Sequence, residues 1–116
     1  MSLFKHEKNT EFYSAGEMGF NAGEEGHHMY VVQEGELDVL VNGTIIDILG
    51  PGQTFGEMAI IDYSPRTASV MARTDSKLVA LDEDKFMYHV HRTPFFALTV
   101  MRVVTDHVRQ RMAEQA

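Results

Sequence analysis

Two hydrophobic rhythms divide this chain. From Glu11 to Leu81 the apolar residues come in short runs, punctuated by glycines at 16, 19, 23, 26, 35, 43, 50, 52 and 56. Such runs, bounded by turn residues, are strand-like. They predict strands over Met29–Gln33, Leu37–Val41, Thr44–Leu49, Thr67–Ala72 and Lys77–Leu81. Gln33-Glu34-Gly35-Glu36 and Gly50-Pro51-Gly52 read as turns. Asn42-Gly43 reads as the two-residue loop of a hairpin, where both central positions need positive φ. Many short strands at close spacing point to a barrel or sandwich. After Leu81 the period lengthens. Asp82 is a good N-cap for a helix over about Glu83–His91. Thr93-Pro94 restarts a helix with a cap followed by proline at the first position. From Phe95 to about Ala113, the residues Phe96, Val100, Val103, Val104, Val108 and Met112 recur at three to four residues, a single apolar stripe. Residues 1–10 are polar and read as a frayed or short helical lead-in. The chain thus divides into a lead-in (1–10), a β-rich body (11–81) and helices (82–116).

At 116 residues there is room for one domain, which should bury roughly two thirds of its unfolded surface. The net charge is −7, with 17 acidic and 10 basic residues. That argues against a sequence-independent grip on DNA, RNA or an anionic membrane, so an anionic ligand would be held by local positive potential. There is no cysteine, hence no disulfide, thiolate metal site or thiol nucleophile. No apolar run approaches the ~18 residues of a membrane span, and MSLFKHEKNT lacks the apolar core of a signal peptide. The cytoplasm is the expected location. His27-His28 and His89-Val90-His91 do not make a metal site, because neighbours on a strand face opposite ways and an i,i+2 pair does not share a helix face. The eight methionines read mostly as core filler.

The chemistry gathers between Phe55 and Ala72, in FGEMAIIDYSPRTASVMA. Gly56 lets the backbone come close to a ligand. The Glu57 carboxylate can accept a hydrogen bond from a sugar hydroxyl. Backbone N–H groups at a helix start near Glu57 attract anions. Arg66, nine residues on and just after Ser64-Pro65, offers a guanidinium fork that matches two phosphate oxygens. It leads from a turn into an apolar strand, so its charge should be drawn partly inward and have an anionic partner. One ligand uses all three features: a small nucleotide with a free 2′-hydroxyl and a compact anionic phosphate.

This segment resembles the phosphate-binding cassette of the cyclic nucleotide-binding domain family. That family includes the regulatory subunits of cyclic-nucleotide-dependent kinases, catabolite activator proteins and cyclic-nucleotide-gated channels. Its pattern is F-G-E-[LM]-A-[LI], a short variable turn, then P-R-[ATS]-A, and residues 55–59 and 65–68 match position by position. Upstream, Gly23-Glu24-Glu25-Gly26 followed by Met29 to Leu37 looks like the family's second and third strands, and the resemblance runs from about Glu11 to about Arg111. It implies a mainly β fold with C-terminal helices: an eight-stranded β-roll or jelly-roll barrel, with a short cassette helix from about Glu57. It implies a site made by Phe55, Gly56, Glu57, Met58, Ala59, Arg66, Thr67 and Ala68. Glu57 would receive the ribose 2′-hydroxyl, Arg66 the phosphate, the Ala59 N–H would point at the phosphate, and Thr67 would add a hydroxyl. A threonine there can also reach a guanine amino group, so cyclic AMP and cyclic GMP both stand as ligands. In the family the last helix closes over the base, and His107, Val108 and Arg111 are the candidates to cap it. Tyr63 departs from the family, which often has glycine or another turn-prone residue there. Tyrosine tolerates positive φ poorly, so either the turn is shaped differently or the ring is simply exposed.

The resulting expectation is a cyclic nucleotide sensor that repositions its C-terminal helices, not an enzyme, with no cofactor besides the ligand. No nucleophile with its base, metal set or carboxylate pair is recognisable. An effector protein or a second copy would engage the last helix. A DNA partner is not expected, since no helix-turn-helix segment follows that helix. Two alternatives stand beside this: a protein-interaction module with an unoccupied pocket, and a cupin-like metal-dependent enzyme, which would need a His/Glu set facing inward from strands.

Overall fold

The computed structural model describes residues 3–115, apart from the side chains at 111, 114 and 115. Along the chain run β1 (Glu11–Tyr13), β2 (Met18–Phe20), β3 (Met29–Glu34), β4 (Leu37–Val41), β5 (Thr44–Leu49), β6 (Thr54–Phe55), α1 (Met58–Ile61), β7 (Ser69–Ala72), β8 (Ser76–Leu81), α2 (Glu83–Arg92) and α3 (Phe95–Gln115). The strands form two antiparallel sheets of four, in the orders β1-β8-β3-β6 and β2-β7-β4-β5. Neither sheet closes on itself, so the expected barrel is an open two-sheet roll. Asn42 (φ 52°) and Gly43 (φ 79°) make the β4–β5 hairpin turn as their sequence demands.

Period-2 alternation sends the first sheet's side chains to two separate cores. Met29 and Val31 of β3 and Val79 and Leu81 of β8 pack against Phe4, Ile60, Phe96 and Val100. Val32 of β3, Leu78 of β8 and Phe55 of β6 face Leu37, Leu49, Val70 and Ala72 of the second sheet. A sheet covered on both faces has no solvated side to break its hydrophobic run, which accounts for the unbroken MYVV and LVAL segments.

The helices follow the sequence closely. The Asp82 carboxylate caps α2 by accepting from the Lys85 N–H at 2.8 Å. The Phe96 N–H donates to the Thr93 carbonyl at 2.9 Å, and Pro94 immediately precedes α3. Three expectations need correction. The β7 strand begins at Ser69, not Thr67, because Arg66 and Thr67 belong to the preceding loop. The described part of the lead-in forms a turn over residues 3–6 rather than a helix. Phe4 is only 2% exposed and meets Phe96 edge-on at 5.4 Å, while Gln33 Nε2 donates to the carbonyls of Phe4 (2.9 Å) and Glu7 (2.8 Å). The α3 stripe is two faces, not one. At about 100° per residue, Phe96, Val100 and Val103 share one side, while Val108 and Met112 fall with Leu98 and Met101 on the other. Phe96 and Val100 are buried, whereas Leu98, Met101, Val108 and Met112 are exposed. Among the described residues no helix is long and apolar enough to cross a membrane.

Candidate functional site

Where β6 ends, Gly56 (φ 76°) turns the chain into α1. The turn opens a cavity of ≈ 330 Å³. Its first wall is the loop and helix start from Phe55 to Ala59 together with Ser64 to Ala68. Its second wall is Val39 and Val41 of β4 with Ile46, Asp47 and Leu49 of β5. His107 and Gln110 of α3 complete it. All eight residues singled out between Phe55 and Ala68 line this one space.

Glu57 occupies the N-cap position of α1, yet its carboxylate makes no capping bond. The side chain is 2% exposed. Its Oε1 lies 3.0 Å from Nδ1 of His107, an ion pair when the imidazole is protonated, and its Oε2 is buried with no hydrogen-bond partner among the described residues. Thr54 Oγ1 is in the same state. These are the two buried side-chain polar atoms without a partner among the described residues, and both belong to residues lining the same cavity. Leaving such a group unsatisfied costs about 1–3 kcal/mol, and at Glu57 a bound molecule with a matching donor would recover it.

Arg66 is also buried, at 8% exposure. Its guanidinium carbon lies 4.1 Å from the centre of the Phe20 ring and 5.7 Å from that of Tyr30. Nη1 donates to the Gly56 carbonyl at 3.2 Å. Two glycines make room for it: a Cβ on Gly26 or on Gly56 would collide with the guanidinium. The backbone is held as well, since the Arg66 N–H donates to Glu24 O (2.8 Å) and its carbonyl accepts from the Gly23 N–H (2.7 Å). Burial lowers the Arg66 pKa, opposed by the nearby Tyr30, Glu24 and Glu57. The Tyr30 phenol is raised, chiefly by burial and next by Glu11, with Arg66 pulling the other way. Among the described residues Arg66 forms no salt bridge. A buried cation held by aromatic faces and one carbonyl is suited to an incoming anion.

The remaining residues vary in how they meet the site. Ala59 N–H donates to Gly56 O over a long 3.3 Å, so it is turned into the chain's own turn. Thr67 is exposed at the cavity and Ala68 half-buried. Of the three capping candidates, His107 reaches the cavity but lies on Glu57, Val108 is exposed and not part of the lining, and the Arg111 side chain lies outside the described residues. Sequence reasoning missed Gln110, Gly26 and the β4–β5 wall. Gln110 stands one helical turn after His107, on the face that begins with Phe96, and that spacing was the signal. Of the two alternatives for Tyr63 the second holds: the turn keeps a left-handed φ of 58°, and the ring is 72% exposed. Its hydroxyl donates to the Glu83 carboxylate at 3.0 Å, which raises its pKa. Among the described residues no three His, Cys, Asp or Glu side chains come together to hold a metal ion.

The model of the cyclic nucleotide-binding domain matches residues 10–92. Among solved structures, the catabolite activator protein of Thermus thermophilus is 28% identical with a TM-score of 0.78, over 91% of this chain and 52% of that one. This chain therefore spans about half the length of that relative. A protein solved in work on a cyclic-GMP-dependent signalling pathway that regulates bacterial phytopathogenesis is 30% identical with a TM-score of 0.74, over 86% of this chain and 84% of that one. The regulatory domain of Toxoplasma gondii PKA, crystallised with cAMP, is 31% identical with a TM-score of 0.62, over 69% of this chain and 32% of that one.

Proposed function

Because the chain belongs to the cyclic nucleotide-binding domain family, we propose that its cavity binds cyclic AMP or cyclic GMP and that it acts as a regulatory sensor in the cytoplasm, binding without turnover. One observation carries this reading. Among the described residues a buried guanidinium has no salt bridge and a buried carboxylate oxygen has no hydrogen-bond partner, and both belong to residues of the same cavity. Arg66 takes the phosphate, and Glu57 Oε2 accepts the ribose 2′-hydroxyl. Apolar Val39, Val41, Ile46 and Leu49 supply a surface for the base, with Asp47 and Gln110 as its polar neighbours. An amide side chain offers both a donor and an acceptor, so Gln110 suits either base.

The response is a population shift, which a ligand drives only by its differential affinity for two states. The cassette is tied to α2 through Tyr63 and Glu83 and to α3 through Glu57 and His107. Ligand in the cassette therefore bears on both helices. The solvent-facing side of α3, with Leu98, Met101, Val108 and Met112, is where an effector protein or a second copy docks.

Isothermal titration of the nucleotide-stripped protein with cyclic AMP, cyclic GMP and 5′-AMP tests this. Binding at about micromolar or tighter (roughly −8 kcal/mol), with 5′-AMP inert, is expected, and the ratio of the two cyclic nucleotides names the signal. A folded protein that binds neither would overturn the reading and favour an interaction module. Conversion of either ligand to its 5′-monophosphate during the titration would overturn binding without turnover.

A further inference from the structure

We propose that His107 is a positioning residue. It clamps one oxygen of Glu57 so that the other stays presented to the sugar, and it thereby makes recognition of the 2′-hydroxyl depend on helix α3. The inference rests on the nucleotide reading above and assigns a role within that site.

Glu57 is held by little else. Its carboxylate does not cap α1, Arg66 donates to the Gly56 carbonyl instead, and Oε2 has no partner. A buried carboxylate free to rotate would spread its lone pairs over several directions. The 3.0 Å contact of His107 Nδ1 with Oε1 limits that freedom. An ionised carboxylate only accepts, so Nδ1 must carry the hydrogen. The two carboxylate oxygens then have separate tasks: Oε1 for the protein's own donor, Oε2 for a donor brought by the ligand. Sugar and imidazole are not rivals for one lone pair.

The clamp comes from a distant element. Val100 lies two helical turns before His107 on the same face of α3, and it is buried in the helix-side core with Phe96. That packing carries His107 to the cavity. Loss of α3 docking would release Glu57, and a sugar bonded to Glu57 would favour docked α3. The residue offered in sequence as a base cap thus acts at the sugar.

The test compares cyclic AMP with 2′-deoxy cyclic AMP by titration of wild type, His107→Ala and His107→Asn. The asparagine amide nitrogen stands close to where Nδ1 stands, so it can replace the donor. Wild type is expected to prefer the ribonucleotide by about tenfold or more, the size of a hydrogen bond to a charged group. In His107→Ala that preference should shrink to about threefold or less, through weaker cyclic AMP binding, with the deoxy ligand little affected. His107→Asn should restore most of it. A general loosening of the fold would weaken both ligands alike and leave the ratio standing. An unchanged ratio in His107→Ala would sink the proposal, as would tighter cyclic AMP binding, which would make His107 a competitor of the sugar. Wild type binding both ligands equally would remove Glu57 from the sugar and the proposal with it. Wild type binding neither would mean that the nucleotide reading itself fails. In a second measurement, the Nδ1–H resonance of His107 should persist in the nucleotide-bound wild type, and its loss on binding would contradict the clamp.

Discussion

The two faces of the sheet containing β3 and β8 are made by the same strands, and they bury different things. The face toward the helices carries Met29, Val31, Val79 and Leu81 against Phe4, Ile60, Phe96 and Val100, all apolar and none more than 6% exposed. The face toward the second sheet starts alike, with Val32, Leu78 and Phe55. It then runs into Glu57 and Arg66, both buried charged groups. Apolar burial stabilises at roughly 25 cal/mol per Å². Buried charges without good partners do the reverse. One face therefore holds the domain together, while the other keeps a site whose groups are satisfied only when something binds. Helix α1 joins them in four residues: Ile60 enters the closed core, and Met58 and Ala59 line the cavity.

The largest expected effect tests the closed face alone. Phe4→Ala should cost about 3–5 kcal/mol of stability, the usual range for a buried phenylalanine, read from the urea midpoint. Nucleotide affinity, measured where the variant is still fully folded, should match wild type. An affinity that fell with the stability would mean that the two faces are not separable.

Arg66→Ala should do the opposite. Charge-assisted hydrogen bonds contribute about 1.5–3 kcal/mol, so titration should show cyclic nucleotide binding weakened at least about tenfold. The melting temperature should hold or rise, because a buried charge with no salt bridge among the described residues has been removed. A variant that binds normally would take Arg66 out of the site. One that melts as early as Phe4→Ala would make Arg66 a structural residue.

Thr54→Val sharpens the contrast on a smaller scale. The exchange keeps the shape and deletes an unsatisfied hydroxyl. The ligand-free protein should gain about 1 kcal/mol while nucleotide affinity stays close to wild type, because Thr54 pairs with Val31 of the closed face. Lower stability in denaturant titration would show that the hydroxyl has a partner that helps the fold.

Much of this division was legible in local sequence. The cassette was, because Gly56, Glu57, Pro65 and Arg66 act through a turn and a short helix whose conformation is set within a few residues. The hairpin at Asn42-Gly43 was legible for the same reason. What remained hidden depends on distant partners. Phe4 is a lone aromatic in a polar stretch and gives no periodicity; only the surface offered by α2 and α3 makes it core. Gly26 reads as an ordinary turn glycine until Arg66, forty residues on, packs against it. The α3 stripe merged two faces because Val103-Val104 bridges them on a wheel, and separating them exposes Gln110. Closure of the roll depends on pairing between edge strands, which alternation along one strand does not report.

The smallest effect is a pH dependence of the closed face. His89 lies near the end of α2 with its ring 4.7 Å from Phe4 and 6.4 Å from Phe96. Burial lowers its pKa, Glu7 opposes that, and Arg92 adds to it. A helix C-terminus favours a charged imidazole, but here the apolar neighbours prevail. With a folded pKa below the unfolded value of about 6.5, the unfolded chain binds more protons in the window between the two. Stability from this group is therefore complete above the unfolded value and is lost as pH falls through that window. Thermal melts from about pH 7.5 to pH 5.5 should show wild type losing more melting temperature than His89→Gln, by less than the shift from Thr54→Val. Parallel slopes would place the titration elsewhere. A steeper slope in the variant would reverse the sign and make the charged imidazole a stabilising partner of Glu7.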